Sequence, residues 1–208
     1  PISSIKMSAK LIGDERTVTL NTEQKELLEN INDDAERLLK LTGELLNMTQ
    51  IETGNIQLKL QKVSPQEIVD IALKAVHTQA EQKKIYLTVN PIEHLPLIQA
   101  DADKTSWVLI NILSNSIKYS NPSSPVNIEI TQTGNVIQFA IRDTGPGMDN
   151  KCLGKVFERY FKVPGAEQSG TGLGLAISKE FIEAQGGEIS FANNPEKGAI
   201  VSFCLPVA

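Results

Sequence analysis

The chain has 208 residues, 40% hydrophobic and 22% charged, with a formal net charge of −5. These proportions exclude collagenous, disordered and disulfide-scaffold classes and disfavour general nucleic-acid binding. The length allows one mid-sized domain with a small extra element, or two small domains. Two separated cysteines, Cys152 and Cys204, and two histidines, His77 and His94, indicate neither a zinc cluster nor a His-rich metal site.

The chain opens at Pro1 rather than Met and is read as a fragment of a longer protein. Ile2, Ile5, Ala9, Leu11 and Ile12 give a short apolar helical stripe that should stop at Gly13-Asp14. A second helix is expected from Thr22, with Thr22 as N-cap and half a capping box, since Lys25 stands where an acid would complete it. Leu28, Ile31, Ala35, Leu38, Thr42, Leu45 and Thr49 follow at spacings of three and four, ending near Thr53-Gly54. Such a helix needs a partner for its apolar face, from the first helix or from a second chain. No apolar run approaches the roughly 20 residues of a membrane span.

Beyond residue 54 the pattern changes. Residues 55–60 alternate and predict a strand. Ser64-Pro65 opens a helix carrying Ile68, Ile71, Ala72, Ala75 and Val76. Tyr86 to Val89 predicts a strand, Pro91 to Pro96 a loop, and Asp101 to Ser120 a helix with an acidic start. Val126 to Thr131 and Val136 to Arg142 form a hairpin around Thr133-Gly134-Asn135. Leu173 to Gln185 predicts a helix stopped by Gly186-Gly187, and Glu188 to Ala192 and Ala199 to Leu205 the last two strands. The expected class is α+β: an α/β sandwich, with a mixed, mostly antiparallel sheet and helices on one face, preceded by a helical hairpin.

Four stretches carry chemistry. In Asn111-Ile-Leu-Ser-Asn115-Ser-Ile-Lys118-Tyr119 the two amides share one face of an otherwise apolar helix, with a cation and a ring at the next turn. Amide oxygens suit Mg²⁺, which takes few protein ligands and completes its shell with water and phosphate. The bland alternative is a pair of Asn satisfied by backbone. Asp143-Thr-Gly145-Pro-Gly147 puts a carboxylate at a strand end beside backbone open to a ligand; a tight turn capped by Asp explains it as well. Gly170-Thr171-Gly172-Leu173-Gly174 opens a helix and exposes amides that favour phosphate. It has neither dinucleotide nor P-loop spacing, and a plain loop before a helix is the alternative. Between them, Phe157-Glu-Arg159-Tyr-Phe161-Lys162 gathers cations and aromatics, or is simply a surface cluster.

In this order and spacing the four stretches resemble the ATP-binding domain of bacterial sensor histidine kinases, a branch of the gyrase, heat-shock-chaperone and mismatch-repair ATPase superfamily. Asn111 to Tyr119 resembles the N box, Asp143 to Gly147 the first glycine box, Phe157 to Phe161 the F box, and Gly170 to Gly174 the second glycine box. The resemblance covers residues 63–208 as the ATP-binding domain. Residues 1–54 resemble the dimerisation and histidine-phosphotransfer hairpin, cut just after the phosphoacceptor box, so that only its final Pro remains. It implies Asn115 as the Mg²⁺ ligand with Asn111 nearby, Lys118 on phosphate, and Tyr119 along the adenine pocket. It further implies Asp143 accepting from the adenine amino group, with Gly145 and Gly147 shaping that pocket. Phe157 belongs to the F box; Arg159 and Lys162 would approach the γ-phosphate. Gly170, Thr171, Gly172, Leu173 and Gly174 would cradle the phosphates, and residues 148–169 would be the lid. Asn111, Lys118 and Arg159 would be the catalytic group.

The gyrase-like ATPases carry Glu where this chain has Asn111, and Asn is no general base. Phosphoryl transfer to a histidine is therefore expected over hydrolysis, with ATP and Mg²⁺ as cofactors. The partners implied are a second copy through the hairpin and a response-regulator receiver domain, with no nucleic acid and no membrane contact. The compartment implied is the cytoplasm, with a parent anchored in the inner membrane. Neither His77 nor His94 has the phosphoacceptor context, so the chain should bind ATP without phosphorylating itself. Two competing expectations are an anti-sigma-factor-type Ser/Thr kinase, which would not need the long helix, and a non-catalytic ATP-binding module.

Overall fold

A computed structural model describes residues 1–13, 20–90, 95–163 and 170–208. The chain divides into two units, Pro1–Thr53 and Gly54–Ala208. The first is a helical hairpin of α1 (Ile2–Ile12) and α2 (Thr22–Glu52). α1 stops at Gly13, whose N–H caps the Ala9 carbonyl at 2.9 Å. The N-cap of α2 is Asn21, not Thr22 as expected. Shifting the start by one places Gln24 at the third helical position, and the capping box is then complete. Asn21 Oδ1 accepts from Gln24 N–H at 2.8 Å, and Gln24 Oε1 accepts from Asn21 N–H at 3.0 Å. Lys6 on α1 pairs with Glu36 on α2 at 2.6 Å. A row of large apolar side chains stays exposed along the hairpin, including Ile5, Leu27, Ile31, Leu38 and Leu45.

The second unit is built on one sheet. Its strands are β2 (Tyr86–Val89), β4 (Pro125–Thr133), β5 (Val136–Arg142), β6 (Glu188–Asn193) and β7 (Ala199–Pro206), in the order β2-β4-β5-β7-β6. The β2–β4 pair is parallel and the others antiparallel. Alternate residues of β4, β5 and β7 are buried, so one face is packed and the other is not. The register sets Phe139 opposite Phe203, and the two rings stack at 4.6 Å.

A separate two-stranded ribbon pairs β1 (Gln61–Val63) with β3 (Ile98–Ala100). The strand expected at 55–60 is therefore displaced. Ile56 and Leu58 are half-buried in alternation, but the ladder partner, β3, lies opposite the next three residues. Pairing, not alternation, defines the strand. β3 itself was not anticipated, since three residues carry no readable period. The proposed loop from Pro91 falls largely outside the described residues.

Three helices complete the unit: α3 (Pro65–Lys83), α4 (Ala102–Tyr119) and α5 (Gly174–Ala184). α4 packs between α3 and α5, which explains why it is apolar on most sides. Its N-cap Asp101 accepts from Lys104 N–H at 3.0 Å and from Lys59 N–H at 2.8 Å. The buried Gln185, just past α5, accepts from Asp101 N–H at 2.7 Å and from the Thr105 hydroxyl at 3.1 Å. It also donates to the Phe181 carbonyl at 2.8 Å. This satisfied network locks the start of α4 to the end of α5.

Candidate nucleotide site

α4 places Asn111, Asn115, Lys118 and Tyr119 toward its C-terminal half, and its neighbours sort them. Asn111 is only 7% exposed. Its amide donates to the Ser178 hydroxyl at 3.1 Å, and Ser178 donates to the Gly174 carbonyl at 2.8 Å. A Cβ on Gly174 would lie 2.5 Å from Asn111 Oδ1, so glycine there is a fitting requirement. Asn115, one turn on, is half-buried and has no side-chain partner among the described residues. The two amides expected to act together are thus divided: one is packed against α5 and one is open.

Lys118 and Tyr119 end the helix. The Lys118 ammonium lies 5.3 Å from the Tyr119 ring centroid, and a Cβ on Gly170 would lie 3.8 Å from it. Lys83 Nζ, from the end of α3, donates to the Lys118 carbonyl. A cation at a helix C-terminus satisfies an orphan carbonyl and opposes the dipole. Partial burial pushes the Tyr119 phenol above its usual pKa.

The turn after β5 meets this helix end. A Cβ on Gly145 would come 2.9 Å from the Tyr119 carbonyl oxygen. Asp143 is 6% exposed, and its Oδ1 accepts from Gly145 N–H and from Ala199 N–H, both at 3.0 Å. Oδ2 has no partner among the described residues and can accept from a ligand amino group. Among the described residues, two buried hydroxyls adjacent in sequence to Tyr119 and Asp143 have no hydrogen-bond partner, Ser120 Oγ and Thr144 Oγ1. Buried hydroxyls are normally hydrogen-bonded, and orphans mark a place for water or ligand.

The glycine-rich run joins from the other side. Gly172 has φ +74°, and its carbonyl accepts from Tyr160 N–H at 2.9 Å. The same bond ties the Phe157–Lys162 stretch to the run. Thr171 Oγ1 accepts from the N–H of the buried Leu173 at 3.2 Å. Phe157 is half-buried, while Arg159 and Lys162 are exposed.

Three elements escaped the sequence reasoning. Ser178 is the hydrogen-bond partner of Asn111, and its position four residues after Gly174 was the available clue. Gly198, at φ +100°, is held so close that a Cβ would collide with the Asp143 carbonyl. Asn193 donates to the Met148 carbonyl at 2.7 Å and accepts from Met148 N–H at 2.8 Å. Nothing local in the Asn193-Asn194-Pro195 turn signals that contact. His77 is a surface residue 3.2 Å from the Glu81 carboxylate, and His94 lies outside the described residues.

Among the described residues, no group of three or more His, Cys, Asp or Glu is placed to hold a metal. A cation here would rest on the free Asn115 amide, with water and phosphate. Glycine amides at a helix start, an open amide and a half-free carboxylate suit a nucleoside polyphosphate.

Residues 100–208 match the family described as histidine kinase-, DNA gyrase B-, and HSP90-like ATPase. The chain belongs to this family. Residues 1–54 match a second family, the His kinase A phospho-acceptor domain. The chain is 32% identical to the sensor histidine kinase ZraS of Klebsiella oxytoca, over 100% of this chain and 43% of that protein. It is 31% identical to the sensor protein KdpD of Clostridium acetobutylicum, over 99% of this chain and 23% of that one. The chain thus spans less than half the length of these relatives. Among solved structures, full-length ShkA in complex with AMPPNP shares the fold, with a TM-score of 0.79 and 24% identity over 100% of this chain and 44% of that one. The mycobacterial sensor histidine kinase MprB has a TM-score of 0.61 and 26% identity, over 71% of this chain and 97% of its own. No helix among the described residues is long and apolar enough to cross a membrane.

Proposed function

We propose that the chain is the catalytic core of a sensor histidine kinase. It binds Mg-ATP and passes the γ-phosphate to a histidine on the dimerisation helix, for relay to a response-regulator Asp. Residues 1–54 are the dimerisation and phosphotransfer hairpin, and residues 63–208 the ATP-binding domain. The observation that carries this is the meeting of three stretches at one end of α4. Gly145 abuts Tyr119, Gly170 lies near Lys118, and Gly174 fits against Asn111.

Each residue then has a task. Asp143 Oδ2 accepts from the adenine amino group, with Gly145 and Gly147 shaping the pocket and Tyr119 lining it. The amides of Gly170, Thr171, Gly172, Leu173 and Gly174 cradle the phosphates. Lys118 neutralises phosphate charge; Arg159 and Lys162, held through the Phe157 stretch, approach the γ-phosphate. Asn115 would hold Mg²⁺, and the ion would supply charge neutralisation at the phosphates. Asn111 supplies no base for water and is occupied by Ser178. A histidine imidazole is then the nucleophile: its nitrogen bonds to the γ-phosphorus, the bond to the β–γ bridging oxygen breaks, and ADP leaves. The reading implies a homodimer through the exposed face of the hairpin, a receiver-domain partner, and the cytoplasm as compartment.

Two measurements test it. Calorimetry should find Mg²⁺-dependent ADP and ATP-analogue binding by the wild-type chain, abolished in Asn115→Ala. Unchanged affinity in that variant would refute the metal role. The full-length protein incubated with labelled ATP and Mg²⁺ should take up acid-labile, base-stable label. Acid-stable label would point to a Ser/Thr kinase.

A further inference from the structure

We propose that Asn193 is a positioning residue of the nucleotide site, its side-chain amide pinning the far end of the Asp143–Gly147 turn. The inference rests on the nucleotide-binding reading above. Asn193 is the last residue of β6, paired with Ala199 at the start of β7. These two paired residues grip opposite ends of one turn. Ala199 takes the near end: its carbonyl accepts from Asp143 N–H at 2.9 Å, and its N–H reaches Asp143 Oδ1 at 3.0 Å. Asn193 takes the far end through both backbone groups of Met148, at 2.7 and 2.8 Å, and its Nδ2 also reaches Asn150 Oδ1 at 3.3 Å.

The side chain does what a neighbouring strand would do. In an antiparallel pair, two residues exchange an N–H donor and a carbonyl acceptor. β6 is an edge strand, and the Asn193 amide extends that exchange to Met148. Gly147, at φ +70°, is folded beneath the clasp; a Cβ there would come 3.0 Å from both Asn193 Oδ1 and the Gly198 carbonyl. Met148 therefore cannot shift without moving Gly147 and the turn that presents Asp143. The chemistry demands one planar group with both donor and acceptor, which ionised Asp, Ser or Ala cannot supply.

The isosteric substitution Asn193→Asp separates this role from packing. It keeps the acceptor for Met148 N–H but sets a carboxylate oxygen against the Met148 carbonyl. At pH 8 it should weaken Mg-ADP binding by roughly tenfold or more, while the variant still unfolds in one cooperative transition per unit. As pH falls, protonation restores a donor, so the affinity ratio to wild type should return toward one. Taking the ratio cancels the titration of ADP, which is common to both proteins. Wild-type affinity in Asn193→Asp, or a deficit that does not change with pH, overturns the proposal while leaving nucleotide binding intact. Absence of Mg-ADP binding by the wild type overturns the nucleotide reading and this proposal with it.

Discussion

Single residues at this site are constrained by contacts a few ångströms long. Gly198 combines φ +100° with a backbone pressed against Asp143. Gly198→Ala should cost more than about 1 kcal/mol in urea denaturation, through both strain and collision, and should weaken nucleotide binding with it. Tyr119 gives a pH signature. Burial raises its folded pKa above the unfolded value near 10, so the neutral phenol is favoured in the native state. Its contribution is fully present below the unfolded pKa and is lost as pH rises through the folded one. Urea midpoints should therefore fall more steeply above pH 10 for wild type than for Tyr119→Phe. The effect should be small, because Tyr119 is 37% exposed. The residue types at the site were legible from the sequence; their partners were not. Asn111 and Asn115 look alike on a helical wheel, yet only the packing of Gly174 and Ser178 separates them.

Elements were legible where a long period or a cap announces them. α3 begins at Pro65 and α4 is capped by Asp101, because these residues suit helix starts for local reasons. The hairpin of β4 and β5 turns at Gly134, where φ is +59°. Errors arose where an element depends on something distant. The strand near residue 60 is placed by β3, some forty residues away, and not by its own alternation. The start of α2 moved by one residue because Gln24 answers Asn21. Asn21→Ala should remove that box and lower the stability of the hairpin unit by about 1 kcal/mol, read from its thermal transition.

At the scale of the molecule, the two units differ in how far they bury their apolar side chains. The sheet unit has a closed core in which Phe139 and Phe203 are fully buried and stacked. Phe139→Ala should destabilise that unit by about 3–5 kcal/mol in denaturant unfolding. The hairpin keeps large apolar side chains exposed along its length, which fits assembly with a second copy into a four-helix bundle. Sedimentation over a range of concentrations should show a monomer–dimer equilibrium, and Leu38→Glu should shift it toward monomer. The order and spacing of four short stretches in the sequence were enough to mark the family, because each stretch answers a local demand: glycine for close backbone approach, amides on one face of a helix, a carboxylate at a strand end. Tertiary structure alone decided which groups are free to act. The open Asn115, the half-free Asp143 and the clasp of Asn193 on Met148 depend on contacts between residues tens of positions apart, and no local pattern encodes those.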